Sequence, residues 1–254
     1  MNVVLLGATG KVGGPVLAEL LDRGHRVTAV ARDLSRLPAE TAVLAEPAVT
    51  AAGAEHAETA EAAAGAVTAA GAEPAAGAEG AALRRRAGDV FDPAFLAEVL
   101  TGADTVVCAV ALRDPAQRQR TPVRLVRGVA DAGAGAGVRL LAIGGAGSLQ
   151  TGTGVDLVDT PGFPEVAKPE SLGFRAALHE LLERAPAGLD WTMLSPPASI
   201  EVGGPRTGRY RTGDDTLLVD ESGASRISAA DLAVALVDEL ENSKHPGRRF
   251  TVGY

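Results

Sequence analysis

Gly7-Ala8-Thr9-Gly10-Lys11-Val12-Gly13 is the stretch whose residue types and spacing most directly specify chemistry. It follows the apolar run Val3–Leu6 and precedes a helical pattern of Pro15, Val16, Leu17, Leu20 and Leu21 that stops at Gly24. Glycines so placed permit a tight turn, close backbone approach to a pyrophosphate, and close packing of helix on strand. The helix that follows offers unpaired N–H groups and the positive end of its dipole to phosphates. A dinucleotide site is expected; the alternative is a glycine-rich connection that only turns the chain. Arg32, in Val30-Ala31-Arg32-Asp33, stands where an NAD site carries its acidic residue, about 20 residues on. An arginine there suits a 2′-phosphate, because its planar fork grips phosphate oxygens in pairs. Arg36 and Lys11 add to that pocket, so NADP(H) is favoured over NAD(H). The counter-reading is Asp33, which binds a ribose hydroxyl if the turn is shifted by one residue.

These residues need elements to position them. Parallel strands covered on both faces read as continuous apolar runs. Such runs lie at Val3–Leu6, Arg26–Val30, Asp104–Val110, Val138–Ile143, Leu189–Leu194 and Arg249–Val252, with a weaker one at Leu83–Ala87. Helix signals fall between them. Asp92-Pro93 supplies an N-cap and an N1 proline ahead of Phe95, Leu96, Val99 and Leu100. Thr121-Pro122 repeats the device before Val123, Val126 and Val129, with Gly133 after the end, and Ser228 to Asp231 opens a further helix like a capping box. Strand and helix alternating in this way predict an α/β fold: a Rossmann-type, doubly wound parallel sheet with a small C-terminal extension on the substrate side.

Residues 1–254 read as one domain, interrupted by an Ala/Gly/Glu-rich stretch at about 45–82. That stretch holds too little large apolar side chain to offset the entropy of ordering. It is expected to be an insertion or expanded loop, the alternative being a regulatory or partner-binding arm. With 46% hydrophobic residues in 254, the rest of the chain can build a sizeable core. A net charge of −8, with Lys11, Lys168 and Lys244 the only lysines, argues against a nucleic-acid-binding face. Cys108, the only cysteine, excludes an internal disulfide and cysteine-based metal sites, and nothing points to a metal. The apolar runs are strand-length, short of a membrane span, and Met1 leads into the first strand without a basic leader. The expectation is a cytoplasmic monomer or homodimer acting on a small molecule.

Taken together, Gly7 to Gly13, Arg32-Asp33, Gly88-Asp89-Val90-Phe91-Asp92, Gly144-Gly145-Ala146-Gly147-Ser148-Leu149, Leu189 to Pro197 and Arg226 to Asp231 resemble the atypical short-chain dehydrogenases. The likeness is to their NAD(P)H-binding branch, which includes biliverdin reductase B-like flavin reductases and NmrA-like proteins. The resemblance implies that Asp89 and Val90 flank the adenine and that Ala109, Val110 and Ala111 line the adenosine and ribose. It implies that Gly144 and Gly145, with the loop to Ser148, border the nicotinamide, and that Ser195, Pro196 and Pro197 close its pocket. Trp191 is then expected near the nicotinamide end of its strand. Glu201 to Ser225 and Phe163 to Phe174 would wall the substrate side.

Short-chain dehydrogenases ordinarily pair a tyrosine with a lysine four residues on. Here the tyrosines are Tyr210, followed at that spacing by Asp214, and Tyr254, so the pair is absent. Candidates to replace it are Ser148, matching the serine that holds a carbonyl oxygen in the wider family or else bracing the glycine loop; Lys168, a ribose-binding or stabilising cation or else a solvated lysine; and Tyr210, a proton donor from outside the usual position. His179 reads as a surface histidine and Cys108 as a small buried hydrophobe. A complete cofactor signature beside a broken catalytic one suggests an NADPH-dependent reductase of flavins, quinones or polyketide-type ketones, whose reduced anions water can protonate. The rivals are an NmrA-like NADP sensor without chemistry and a nucleotide-dependent epimerase or dehydratase.

Overall fold

Val3 and Leu5 turn one way from strand β1 (Asn2–Leu6) and Val4 and Leu6 the other, and all four are buried. A strand can hide both of its faces only inside a sheet with helices on either side, and that is the architecture. The computed structural model describes residues 1–37, 82–110 and 118–254. After β1 come α1 (Gly13–Asp22), β2 (Arg26–Ala31), β3 (Ala82–Ala87), α2 (Pro93–Val99), β4 (Thr105–Cys108), α3 (Thr121–Ala136), β5 (Arg139–Ile143) and α4 (Lys168–Arg184). The chain continues through β6 (Trp191–Ser195), β7 (Ser199–Glu201), β8 (Arg211–Gly213), β9 (Arg226–Ser228), α5 (Ala229–Asn242) and β10 (Arg248–Gly253).

The main sheet runs β3-β2-β1-β4-β5-β6-β10-β8, parallel except for β8 against β10. Val16, Leu17 and Leu20 of α1 and Leu232, Leu236 and Leu240 of α5 cover the face that bears Val3 and Leu5. Leu96 of α2, Leu125, Val126 and Val129 of α3, and Leu178 and Leu181 of α4 cover the face that bears Val4 and Leu6. The order reverses between β1 and β4, so the crevice outside their carboxyl ends is where such a sheet takes a ligand. Leu6 is in register with both Val30 and Cys108, which levels the ends of β1, β2 and β4 there. The α/β, doubly wound expectation is met.

Several boundaries differ from the sequence reading. Strand β4 stops at Cys108, short of Val110, after which the Ala109 N–H still donates to the Leu6 carbonyl. Helix α3 takes Arg120, not Thr121, at its cap, and runs through Gly133 to a left-handed Gly137. There the Val138 N–H donates to Gly133 O (2.8 Å) and the Gly137 N–H to Ala134 O (3.3 Å), which together form a Schellman close. Gly133 is therefore inside the helix, where a Cβ would stand 3.2 Å from Val138 O. Trp191 opens β6 rather than ending it, so it lies about 13 Å of strand from the carboxyl end, at about 3.3 Å per residue. Of the segment 45–82, only Ala82 lies within the described residues, as the first residue of β3.

The expected caps at Asp92 and Ser228 are present: Asp92 Oδ1 accepts from the Ala94 N–H (2.9 Å) and Ser228 Oγ from the Asp231 N–H (2.9 Å). The reciprocal half of the second box is replaced. The Tyr254 hydroxyl accepts the Ser228 N–H, while the Asp231 carboxylate accepts the Thr207 and Gly208 N–H groups and the hydroxyls of Thr207 and Tyr254. Burial alone would raise the Asp231 carboxyl, but these donors hold it below its ordinary value. One carboxylate thus ties the C-terminal extension, with its small β7–β9 parallel pair, to the start of α5. At the opposite end of α5, buried Glu239 accepts from Arg139 Nη2 (2.8 Å) and is in contact with His245 Nδ1 (2.7 Å).

Candidate nucleotide-binding site

Three glycines shape the turn after β1, each for a different reason. Gly7 has φ +88°, and its N–H donates to Val30 O (3.0 Å); a Cβ there would stand 2.5 Å from Ala109 O. Gly13 begins α1 so close to the turn that a Cβ would stand 2.1 Å from Gly7 O. Gly10 bonds back to Gly7 O through its N–H (2.9 Å), but a Cβ there would stand 3.2 Å from that oxygen, a milder contact. Residue Val12, at the cap of α1, has no oxygen to offer, and no side chain caps the helix. In its first turn the Gly14 N–H donates to Gly10 O (3.0 Å) and the Val16 N–H to Val12 O (3.1 Å), while Pro15 has none, which leaves the Gly13 N–H, with the backbone of the turn before it, to meet an anion.

A cleft of 1160 Å³ opens over the carboxyl ends of β1 to β4. Of the residues expected to hold a cofactor, Gly7, Thr9, Gly10, Arg32, Arg36, Asp89, Val90 and Val110 line it. Lys11, Val12 and Gly13 are not among the lining residues. Ala109 stands directly under Gly7, and Ala111 lies outside the described residues. Arg32 and Arg36 are exposed and have no ion-pair partner among the described residues. Asp33 lines the cleft as well; its Oδ1 caps the short helical turn 34–36, accepting the Ser35 N–H (3.0 Å) and the Ser35 hydroxyl (2.6 Å). Those bonds, the hydroxyl's first, hold its carboxyl below the ordinary value.

Beyond β4, and not among the residues that line this cleft, Gly144, Gly145, Ser195, Pro196 and Pro197 stand at the carboxyl ends of β5 and β6. A Cβ on Gly144 would stand 2.8 Å from Met193 Sδ and 3.4 Å from Ser195 Oγ. Ser195 is 1% exposed, yet its hydroxyl has no hydrogen-bond partner. Leaving such a group unpaired costs about 1–3 kcal/mol. The glycine cradle in the cleft over β1 to β4 fits the phosphates of a dinucleotide, and the orphaned Ser195 hydroxyl lies beyond it, buried at the end of β6. Gly7, Thr9 and Gly10 would hold the pyrophosphate, and Arg32 and Arg36 the outer ribose.

The three candidate catalytic residues are not brought together. Ser148, 7% exposed, accepts from Arg249 Nη1 through both its hydroxyl (2.8 Å) and its carbonyl (2.9 Å), and Arg249 is paired with Asp215. It opens on a separate pocket of 560 Å³ beside His179 and Asp215. Lys168 starts α4 with its Nζ 3.4 Å from Glu165. Tyr210 packs on the α1/α5 face, where its hydroxyl donates to Asp238; burial first, then that bond, pushes it above the ordinary tyrosine value. Cys108 is a buried hydrophobe as expected, its thiol pushed up to about 12 by burial. Among the described residues no cluster of side chains could hold a metal ion, and no helix is long and apolar enough to cross a membrane.

Phe91, Thr121 and Arg124 also line the cleft, and sequence reasoning missed them. The available signal was position: Phe91 follows Asp89-Val90, and Thr121 and Arg124 occupy the first turn of the helix after β4.

Fold and site together define a dinucleotide-binding protein of the Rossmann class. A family model described as NAD(P)H-binding matches residues 7–82 and 66–243. The chain belongs to that NAD(P)H-binding family, the branch of the atypical short-chain dehydrogenases its motifs resemble. It is 31% identical over 256 residues to the uncharacterized protein YwnB of Bacillus subtilis, covering 99% of this chain and 98% of that one. Among solved structures, a Streptococcus pneumoniae protein named "putative NADH-flavin reductase" is 27% identical with a TM-score of 0.75, over 100% of this chain and 99% of that one. A Bacteroides thetaiotaomicron protein named "putative epimerase" is 33% identical with a TM-score of 0.74, over 100% and 96%.

Proposed function

We propose that the chain is an NADPH-dependent reductase that passes reducing equivalents to a small conjugated acceptor: a flavin, a quinone or a polyketide-type ketone. The observation that carries this reading is the outer end of the cleft. Arg32 and Arg36 line it, exposed and without an ion-pair partner among the described residues, while Asp33, which lines it too, has its Oδ1 engaged by Ser35. Bound NADPH would supply the hydride. The chain's own part is to grip the phosphates at Gly7 to Gly10 and to hold the far end beside Gly144 and Ser195.

Ser148, Lys168 and Tyr210 are each engaged with another protein group, so this reading leaves protonation of the product to water or to the substrate's own hydroxyls. An acceptor that yields a stabilised anion tolerates that, because positioning supplies most of the acceleration. The solved relative named as a flavin reductase supports the acceptor class; its name specifies NADH, and the preference for NADPH rests on Arg32 and Arg36 alone. A cytoplasmic location belongs to the same reading.

The same engaged side chains favour a second reading, an NADP-binding sensor without turnover. An epimerase or dehydratase, which needs a base beside the cofactor, fits them less well. Dissociation constants for NADPH, NADP⁺, NADH and NAD⁺ decide, measured by calorimetry because Trp191 is at the wrong end of β6 to report. Tightest binding of NADPH, with its oxidation by flavin or quinone, is expected. Tighter binding of the oxidised forms, with no oxidation of NADPH by any such acceptor, overturns the reductase in favour of the sensor.

A further inference from the structure

Arg124 occupies the first turn of α3, with its guanidinium 4.9 Å from the centroid of the Phe91 ring. Both residues line the nucleotide cleft beside Val90, and all three also form the shared wall of a neighbouring groove of 840 Å³ between α2 and α3. Arg124 is exposed and has no ion-pair partner among the described residues, whereas Arg127, one turn on, is spent on Glu180 (2.7 Å). A guanidinium seated on an aromatic ring keeps its N–H groups in its own plane and its second face open to another π-system.

We infer that Arg124, braced by Phe91, is an adenine-binding residue that stacks its open face on the base. This rests on the dinucleotide reading above, in which Asp89 and Val90 flank that base. The phosphate-reading cations, Arg32 and Arg36, follow β2, while Arg124 is borne by the helix that follows β4 and is seated on the residue after Val90. Its role is therefore with the ring, and it serves phosphorylated and unphosphorylated cofactors alike.

The test uses calorimetric affinities of the full chain for NADPH, NADH, adenosine 2′,5′-bisphosphate and reduced nicotinamide mononucleotide. Arg124→Ala is expected to weaken the three adenine-bearing ligands by a similar factor, about ten-fold, from the loss of one stacking partner. The mononucleotide, which has no adenine, is expected to bind as to the wild type. Arg124→Lys, which keeps the charge and loses the plane, is expected to behave like the alanine variant. Recovery of affinity in Arg124→Lys, or a loss confined to the two ligands with a 2′-phosphate, overturns the stacking role. Unchanged affinities in Arg124→Ala overturn it alone, whereas a wild type that binds no dinucleotide overturns the underlying reading as well.

Discussion

Replacing Gly10 and Gly13 separately by alanine distinguishes a glycine that serves the fold from one that serves the ligand. At Gly13 the new Cβ would meet Gly7 O at 2.1 Å and Gly7 C at 2.9 Å, both backbone atoms with no rotamer to yield. To restore a close C···O contact of about 3.3 Å, α1 must move off β1 by roughly an ångström. Overpacking of this kind costs about 1–3 kcal/mol, and backbone against backbone belongs at the upper end. For a chain of this size that lowers Tm by about 6–12 °C. At Gly10 the nearest atom would be 3.2 Å away and φ is not left-handed, so the stability cost stays within about 1 kcal/mol. Gly10 nevertheless lines the cleft, and a methyl group there holds the pyrophosphate off the backbone. Thermal unfolding and calorimetric titration with NADPH read the two effects separately. Gly13→Ala should melt early, and Gly10→Ala should melt like the wild type while binding at least about ten-fold more weakly. Wild-type affinity in Gly10→Ala would show that no phosphate approaches that turn.

Other expectations concern single side chains. Arg32→Ala should weaken NADPH by about ten- to a hundred-fold, the loss of charge-assisted bonds, and leave NADH unmoved; equal weakening of both would remove the 2′-phosphate assignment. Ser148→Ala should lower stability by about 1 kcal/mol, because Arg249 loses one acceptor but keeps Asp215, and should leave kcat unchanged. A large fall in kcat at normal Tm would instead put that hydroxyl in the chemistry. Burial would raise the Glu239 carboxyl, but hydrogen bonds from His245 and the charges of His245 and Arg139 hold it below its ordinary value. Its contribution is therefore complete above the ordinary glutamate range and is lost as pH falls through the lowered value. Acid titration of unfolding should show a shallower decline in Glu239→Gln than in the wild type; identical slopes would mean that Glu239 does not couple to acid unfolding.

What could be read from the sequence was local. Asp92-Pro93 and Ser228 signal helix starts because a cap and its helix are neighbours in the chain, and the glycine turn announces itself within seven residues. Thr121-Pro122 misled by one residue, since proline is tolerated at either of the first two helical positions, and Gly133 resembled a stop because the true stop, Gly137, has the same composition around it. Strands β7, β8 and β9 have three residues each, too few for any apolar run to show. The engagement of Ser148 by Arg249 spans 101 residues, and Arg124 meets Phe91 only once α3 has packed beside α2. Distances of that kind come from topology, not from spacing.

The two rims of the sheet bear on how copies of this chain meet in concentrated solution. Among the described residues one rim is β3, which carries Arg84, Arg85 and Arg86 in succession; the other is β8, three residues long and next to Arg211's bonds to Val219 O and the Tyr254 carbonyl. Open strand edges invite another molecule to add its own strand, and dense like charge or brevity discourages this. Arg86 is itself paired with Glu98 and lies over Phe95, so part of that charge is balanced within the molecule, and a second copy approaching β8 would find almost no ladder to extend.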